Sequence, residues 1–317
     1  MSPSQVPTIG RPVFVVGTGR CGSTLLAQML QAHPTVLCLS EFLTVVDPDK
    51  VFSARTIGGE DLWRLLAARR PDVLQLLAVG ELSELLVRDN VGAIPALLLV
   101  PLQLPGCVPE DLFAELGAVV RGMPELEVGV ALSAIFNWLT MRMCKTIWVE
   151  RSGGSLQYLD CILHAWPNAR IVHIWRDGAD CARSMSRHPY FRVAVARAHT
   201  RNPLLDVGAA LNIELPLARY GAYWSASIRR GVAALRSHAA RGGSVTSVRY
   251  EDLLSGPGAV IEQLATAIDI PVAPGWATTC ARMVRGMRQN VRTGESAEDS
   301  MFARYCQVGM DAIRGDG

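Results

Sequence analysis

The chain has 317 residues, with 31 basic and 29 acidic side chains and a formal net charge of +2 at pH 7. This balance excludes a strongly basic surface of the kind that binds nucleic acid, so we expect no nucleic-acid partner. Hydrophobic residues make up 50% of the chain, which is enough for a large core in one large domain or two smaller ones.

The cysteine and histidine residues give no sign of a metal site or of a disulfide framework. The chain has eight scattered cysteines without a Cys-x-x-Cys pair, and its six histidines are dispersed. Several cysteines fall within apolar runs, where thiols behave as small buried hydrophobic groups. We therefore predict no metal, reduced thiols and a cytoplasmic location, and residues 1–12 carry no apolar segment of the signal-peptide type.

The first motif occupies residues 12–30, where the apolar run Val13–Val16 leads into three closely spaced glycines and then a helix. Such a strand–loop–helix lets backbone N–H groups converge on an anion at the helix N-terminus. The cation of the loop is Arg20, and Ser23 stands where a Walker A motif has its lysine. This difference disfavours an ATP- or GTP-hydrolysing site. A plain strand-to-helix turn would use the same glycines.

The helix after the loop is predicted to end near Ala32, and Val36–Leu39 reads as a second strand with Glu41 just beyond it. Ligands of open α/β sheets bind at the carboxyl ends of the strands. We therefore expect Glu41 to lie on the same side of the sheet as the anion loop, although a surface carboxylate could occupy this position as well.

Residues 47–130 change in character and are predicted to form a helical insertion that covers an acceptor pocket. No strand pattern is visible among them, and the amphipathic pieces are Asp61–Arg69, Val73–Val87, Ala93–Val100 and Pro109–Val120. The stretch Val91–Pro109 has no charged residue, but four prolines interrupt it. We therefore do not expect it to cross a membrane.

Two later strands are each followed by an arginine at the carboxyl end. Arg151 follows the predicted strand Thr146–Glu150, and Arg176 follows Ala169–Trp175. An arginine there can contact an anion bidentately. With the first loop, these two arginines indicate one pocket for a polyanion. A further strand at Ser244–Tyr250 completes the predicted fold, an α/β domain over residues 1–317 with a P-loop-like parallel sheet flanked by helices.

Taken together, these segments resemble the sulfotransferases that use 3′-phosphoadenosine 5′-phosphosulfate (PAPS). The loop resembles the 5′-phosphosulfate loop of that family, which implies that the cofactor is bound by Gly19, Arg20, Cys21, Gly22, Ser23 and Thr24. Arg176-Asp177-Gly178 with Ser184 resembles the 3′-phosphate motif, in which the arginine and the serine share the phosphate. Tyr250, within a Y-E-D-L segment, is implied to touch the adenine.

The pattern is most similar to the branch that includes tyrosylprotein sulfotransferases and many bacterial relatives, because Ala32-His33-Pro34, Cys38 and Glu41 fall as they do there. The resemblance implies that Glu41 is the general base. It also implies that Arg20 and Arg151 stabilise the sulfuryl oxygens and the leaving phosphate, with Arg151 in place of a lysine. Two further phosphate contacts are left open, one at Arg187 or His188 and one at Arg285, Arg288 or Arg292.

The resemblance predicts a PAPS-dependent sulfotransferase that acts without a metal on a hydroxyl group. Because the insertion is apolar and rich in proline, we expect a lipid, glycolipid or secondary-metabolite acceptor. A P-loop kinase of a small metabolite is one alternative, and a non-catalytic nucleotide-binding protein is another.

Overall fold

The computed structural model describes residues 10–70, 75–76, 94–288 and 297–315, without the side chains of 286–288 and 297–301. Its centre is a parallel sheet of five strands in the order β2-β5-β1-β6-β7. These strands are β1 Val13–Val16, β2 Val36–Ser40, β5 Ile147–Arg151, β6 Arg170–Trp175 and β7 Ser244–Arg249. The predicted α/β fold with a parallel sheet is confirmed.

The strands of the sheet are short apolar runs because helices cover both of its faces. All four residues of β1 are buried, and Val13 is in register with Val149 of β5 and with Arg170 of β6. At the edge strand β7, only Val248 is buried. The apolar runs therefore place the core around β1, in the middle of the sheet.

Helices follow most of the strands and supply the outer layers. Helix α1 begins directly after the glycine loop, and the long helix α11 packs against the C-terminal helix α15. The helices are α1 Ser23–Gln31, α2 Phe42–Val45, α3 Pro48–Val51, α4 Gly59–Leu66, α5 Pro109–Arg121, α6 Val128–Arg142, α7 Leu159–Ala165, α8 Gly178–Ser186, α9 Pro189–Thr200, α10 Val207–Leu211, α11 Leu217–Ala240, α12 Tyr250–Ser255, α13 Pro257–Ile268, α14 Trp276–Arg288 and α15 Ala297–Arg314.

The insertion is mainly helical where it is described, with α3, α4, α5 and a short 3-10 helix at Ala96–Leu98. The expectation that it holds no strand was wrong, because β3 Thr56–Ile57 pairs antiparallel with β4 Leu126–Glu127. A two-residue strand is too short to leave a period-two pattern in a sequence. The predicted helix Val73–Val87 lies outside the described residues except for positions 75–76.

The residues considered for function gather at one edge of the sheet. Parallel strands all place their carboxyl ends on the same side, so the ends of β1, β2 and β5 lie next to one another. Ser40 at the end of β2 is in register with Arg151 at the end of β5. Across the described residues, no helix is both long and apolar enough to cross a bilayer.

Candidate active site

The glycine loop between β1 and α1 has a left-handed backbone at three of its residues, with φ of 77° at Gly19, 55° at Arg20 and 89° at Gly22. A Cβ added to Gly22 would lie 2.0 Å from Cδ2 of Tyr250, and one added to Gly19 would lie 2.2 Å from Cζ of Phe191. Both positions therefore need glycine for conformation and for space. The N-cap residue of α1 is Gly22, which has no side chain to cap the first turn, so the N–H groups there suit an anion.

The carboxylate of Glu41 lies at the carboxyl end of β2 and is held from the neighbouring strand. Its Oε1 accepts a hydrogen bond from Nη1 of Arg151, and its Oε2 accepts one from the backbone N–H of Gly153 at 2.9 Å. The backbone N–H of Glu41 also donates to the carbonyl of Arg151 at 2.7 Å. Glu41 has a φ of 58°, so its orientation depends on these contacts.

Arg151 is the more deeply buried partner of this pair. Its side chain is 8% exposed, against 23% for Glu41. Its Nε is buried and has no hydrogen-bond partner among the described residues. A buried, unpartnered donor of this kind is costly, so Arg151 can accommodate a further acceptor atom close to Glu41.

Arg20 reaches from the loop to α8, where its Nε donates to Oγ of Ser184 at 3.0 Å. Among the hydrogen bonds of the described residues, none joins Arg176 to Ser184. The Nη2 of Arg176 donates to Oδ2 of Asp180 at 3.1 Å, and its guanidinium lies 4.9 Å from the centre of the Tyr250 ring. The Nε of Arg176 is buried without a hydrogen-bond partner among the described residues. Arg176, Tyr250 and Gly22 are therefore contiguous.

A cavity of about 140 Å³ brings the loop and the ends of β2 and β5 together. Its polar wall contains the three residues predicted to be catalytic, Arg20, Glu41 and Arg151. The predicted cofactor contacts Arg176, Ser184 and Tyr250 are not among the described residues that line it. The other polar side chains of the wall are Ser23, Thr24, Thr44 and His188. The rest is mainly apolar and includes Val45, Leu76, Leu99, Val100, Tyr190 and Phe191.

His188 and Arg187, the two candidates for a further phosphate contact, differ in their position relative to the cavity. His188 lines the cavity, and burial together with the nearby Arg20 lowers the pKa of its imidazole to about 4. It is therefore neutral at pH 7, and it can bind an anion only as a neutral donor. Arg187 is exposed and lies outside the cavity wall. Arg285 is exposed, the side chain of Arg288 is among those not described, and Arg292 lies outside the described residues.

The Cys21 side chain is fully buried beneath the loop, and burial raises the pKa of its thiol. A Cβ added to Gly17 would lie 2.6 Å from its Sγ, so the thiol packs against the end of β1. The thiol is thus neutral and packed inward. Its predicted contribution to cofactor binding would have to come from the backbone.

Sequence reasoning missed Glu150 and Ser152, which lie beneath the Glu41–Arg151 pair. Glu150 is 1% exposed, and burial, opposed by hydrogen bonds from Ser152 and from the backbone of Leu43, raises the pKa of its carboxyl to about 8. The available signal was a glutamate inside an apolar strand that is otherwise suited to complete burial. Tyr190 and Phe191 of the cavity wall carried no comparable signal.

A family model described as the sulfotransferase family matches residues 12–86 and 126–274. The chain belongs to the sulfotransferase family. The match covers the glycine loop, Glu41, Arg151, Arg176 and Tyr250, and it omits residues 87–125, which fall within the insertion. A search of curated proteins gave no significant match to this sulfotransferase.

Solved structures of bacterial sulfotransferases are similar to this sulfotransferase over most of its length. The sulfotransferase domain of the Synechococcus PCC 7002 olefin synthase is 16% identical, with a TM-score of 0.47 over 95% of this chain and 96% of that one. Sulfotransferase STF9 from Mycobacterium avium is 14% identical, with a TM-score of 0.48 over 98% of this chain and 79% of that one. At such values these likenesses bear on neither substrate nor mechanism.

Proposed function

We propose that this sulfotransferase takes its sulfuryl group from PAPS and transfers it to a hydroxyl group of an apolar small molecule or lipid, with Glu41 as the general base. One observation carries this proposal. Glu41, Arg20 and Arg151 lie together in the wall of a cavity whose remaining walls are mainly apolar. A carboxylate, two guanidinium groups and an apolar wall suit a base, an anionic transferring group and an apolar acceptor.

The residues fit a donor with two separate anionic ends. Gly19, Arg20, Cys21, Gly22, Ser23 and Thr24 would hold the 5′-phosphosulfate end, and Arg176, Ser184 and Tyr250 the 3′-phosphoadenosine end. The left-handed loop backbone and the buried, unpartnered Nε atoms of Arg151 and Arg176, taken over the described residues, support this assignment. Bound PAPS would supply an activated sulfuryl group, a chemistry that depends on positioning and charge stabilisation as phosphoryl transfer does.

In this proposal Glu41 accepts the proton of the acceptor hydroxyl, and Arg151 and Arg20 neutralise negative charge around the transferring group. A general base typically contributes about 10²–10⁴-fold to the rate. Glu41 is suited to this role because it is partly exposed at the cavity while both of its oxygens are held by hydrogen bonds. Orientation of the base therefore precedes binding.

The proposed acceptor class rests on the apolar side chains of the cavity wall. Leu76, Leu99 and Val100 come from the insertion, and Tyr190 and Phe191 come from α9. These side chains offer few hydrogen bonds, so a polar sugar would lose hydration there without compensation. We therefore propose a lipid, glycolipid or secondary-metabolite hydroxyl. A cytoplasmic location stays a prediction from the cysteines, all eight of which are free thiols.

Calorimetry with 3′-phosphoadenosine 5′-phosphate, 5′-AMP and ATP with Mg²⁺ tests the donor. We expect the bisphosphate to bind at least tenfold more tightly than AMP, about 1.4 kcal/mol, and Arg176→Ala to remove this preference. Arg183→Ala is the matched control, because Arg183 also pairs with Asp180 but is not assigned to the donor. Tighter binding of ATP with Mg²⁺ would instead support a kinase.

Radiolabelled PAPS with 4-nitrophenol, 1-dodecanol, cholesterol and glucose tests the acceptor. We expect turnover of the apolar alcohols, and turnover of glucose alone would contradict the proposed acceptor class. Glu41→Gln should lower turnover about 10²–10⁴-fold while the bisphosphate still binds. That pair of results would exclude a non-catalytic nucleotide-binding protein, whereas full activity of Glu41→Gln would reject Glu41 as the base.

A further inference from the structure

We propose that Glu150 and Ser152 are positioning residues that hold Glu41 in its reactive orientation by capping the helix that Glu41 begins. This inference rests on the proposed role of Glu41 as the base. It assigns to two residues outside the predicted site a function that acts through Glu41 and that does not involve contact with the donor or the acceptor.

Helix α2 begins immediately after Glu41, and its first N–H groups are capped from another strand. The residue before a helix normally accepts hydrogen bonds from the N–H groups of the first turn with its own side chain. The Glu41 side chain makes no such bond. Instead, the N–H of Leu43 donates to Oε1 of Glu150 at 3.2 Å, and the N–H of Thr44 donates to Oγ of Ser152 at 3.2 Å.

The capping groups are also bonded to each other, since Oγ of Ser152 donates to Oε1 of Glu150 at 2.5 Å. Both side chains are only 1% exposed, so no water competes for these bonds. Because Glu150 and Ser152 cap α2 in place of Glu41, the Glu41 carboxylate is not used as a helix cap. The carboxylate is then available to the cavity.

Successive side chains at the end of β5 make different contacts because they lie on opposite faces of the chain. Successive side chains of an extended chain point in opposite directions. The side chains of Glu150 and Ser152 accept from the backbone N–H groups of α2, whereas the side chain of Arg151 holds the carboxylate of Glu41. The backbone N–H of Gly153, beyond the end of β5, also donates to that carboxylate. Four consecutive residues thus fix both the backbone and the side chain of the proposed base.

The backbone of Glu41 needs such support. Its φ of 58° is left-handed, a conformation that is unfavourable for a residue other than glycine. Such conformations persist only where the surroundings determine them. The capped helix on one side and the ion pair on the other supply this constraint, so loss of the cap should release Glu41 toward an ordinary backbone conformation.

The charge of Glu150 is consistent with a supporting role. Burial raises the pKa of its carboxyl to about 8, so it is neutral at pH 7 and leaves the Arg151 cation to Glu41. The charged groups that act on the pKa of the Glu150 carboxyl are Glu41 and Arg151. The charge of Glu150 in turn acts on the pKa of Tyr158 and of Cys38. At neutral pH it therefore acts through its oxygen acceptor, which a glutamine retains.

The test compares Glu150→Ala, Glu150→Gln and Ser152→Ala, using the acceptor that is turned over fastest in the panel above. We expect Glu150→Ala to lower kcat at least tenfold at pH 7 with unchanged affinity for 3′-phosphoadenosine 5′-phosphate, and Glu150→Gln to restore most of kcat. Asn137→Ala is the matched control, because it removes the buried acceptor of Nε1 of Trp148 without touching Glu41. It should lower stability but leave kcat close to that of the wild type.

A double-mutant cycle separates positioning from general weakening of the fold. If Glu150 acts through Glu41, Glu150→Ala should cost little further activity in the Glu41→Gln background. Equal losses in both backgrounds would overturn the proposal while leaving Glu41 as the base. Full activity of Glu41→Gln alone would instead remove the proposed function on which the inference rests.

Hydrogen–deuterium exchange provides a readout that needs neither an acceptor nor a fully stable variant. In the full-length protein, Ser152→Ala and Glu150→Ala should speed exchange at residues 42–45, and Asn137→Ala should not. If Glu150→Ala fails to fold, Ser152→Ala and Glu150→Gln carry the comparison. Unchanged exchange at residues 42–45 in Ser152→Ala would contradict the assignment of the cap.

Discussion

Glu41 and Arg151 form an ion pair across the carboxyl ends of two adjacent parallel strands, where Ser40 of β2 is in register with Arg151 of β5. The pair is mostly buried, and a third group, the N–H of Gly153, shares the carboxylate. Removal of one partner of a buried pair leaves an uncompensated charge, which typically costs about 3–5 kcal/mol. Under the proposed function, stability and reactivity are therefore coupled at this position.

Substitution of Arg151 should reveal both effects. We expect Arg151→Ala to lower kcat and the unfolding midpoint together, because the carboxylate of Glu41 loses its partner and the transferring group loses a cation. Arg151→Lys keeps the charge but loses the two parallel donors of a guanidinium group. Its kcat and unfolding midpoint should therefore lie between those of the wild type and of Arg151→Ala. Kinetics and urea unfolding measure these effects. The exposed pair Arg142–Glu115 supplies the control, since Arg142→Ala should change neither kcat nor the midpoint appreciably.

We expect Gly22→Ala to weaken donor binding because the added Cβ would clash with Tyr250, in addition to any backbone strain. Gly22 has a φ of 89° and lies against the Tyr250 ring, whereas Gly242 has a φ of 84° with no atom within 4 Å of an added Cβ. Both alanine variants should lose roughly 1–2 kcal/mol of stability because of the left-handed backbone. Only Gly22→Ala should weaken calorimetric binding of 3′-phosphoadenosine 5′-phosphate, and equal binding by both variants would contradict the role of the loop.

The buried carboxyl of Glu150 predicts a pH dependence of stability. Its folded-state pKa of about 8 lies above the ordinary value of 4.5, so the folded protein retains a proton that the unfolded chain has lost. The associated stability is complete below about pH 4.5 and declines as the pH rises toward about 8. Glu150→Gln lacks this titration, so its unfolding free energy relative to the wild type should increase from pH 5 to pH 8.

Urea unfolding at pH 5, 6.5, 8 and 9 measures that difference. The comparison with Glu150→Gln is necessary because burial also lowers the pKa of His173 to about 4. That histidine makes stability fall as the pH drops below its ordinary value of 6.5, and it does so in both proteins. A constant difference between the two proteins from pH 5 to pH 8 would show that Glu150 is ionised throughout.

A larger side chain in the cavity wall should change acceptor choice without changing donor binding. Val100 lines the cavity and is only partly buried, so Val100→Trp has room to reorient. We expect kcat/KM for 1-dodecanol or cholesterol to fall about tenfold more than that for 4-nitrophenol, about 1.4 kcal/mol of selectivity. Val119→Trp, a partly buried valine of α5 outside the cavity wall, should leave selectivity unchanged.

The principal elements could be predicted because they carry local signals. Apolar runs bounded by glycine or arginine gave the strands β1, β5 and β6 to within about one residue. In a parallel sheet, β2 and β5 end at the same edge, which brings Glu41 and Arg151 close together. Both residues line the cavity. The assignment of individual residues to PAPS stays a prediction, and it includes the sharing of one phosphate by Arg176 and Ser184.

The contacts that depend on approach in three dimensions could not be predicted. Ser184 accepts a hydrogen bond from Arg20 of the glycine loop, which lies 164 positions earlier in the chain. Arg176, which is much nearer to Ser184 in sequence, bonds to Asp180 instead. Glu150 and Ser152 reach Leu43 and Thr44, which lie more than 100 positions away in the chain. No periodicity relates such residues, since only the packing of β5 against β2 brings them together.

The sequence by itself determined the class of fold, the glycine loop and the family, because strand periodicity, glycine conformation and motif order are local properties of the chain. The tertiary structure decided which groups meet. It paired Glu41 with Arg151, placed Glu150 and Ser152 next to them, and lined the cavity with side chains from the insertion and α9. Hydrogen bonds and burial depend on distances in space, and those distances are set only when helices and strands pack into one core.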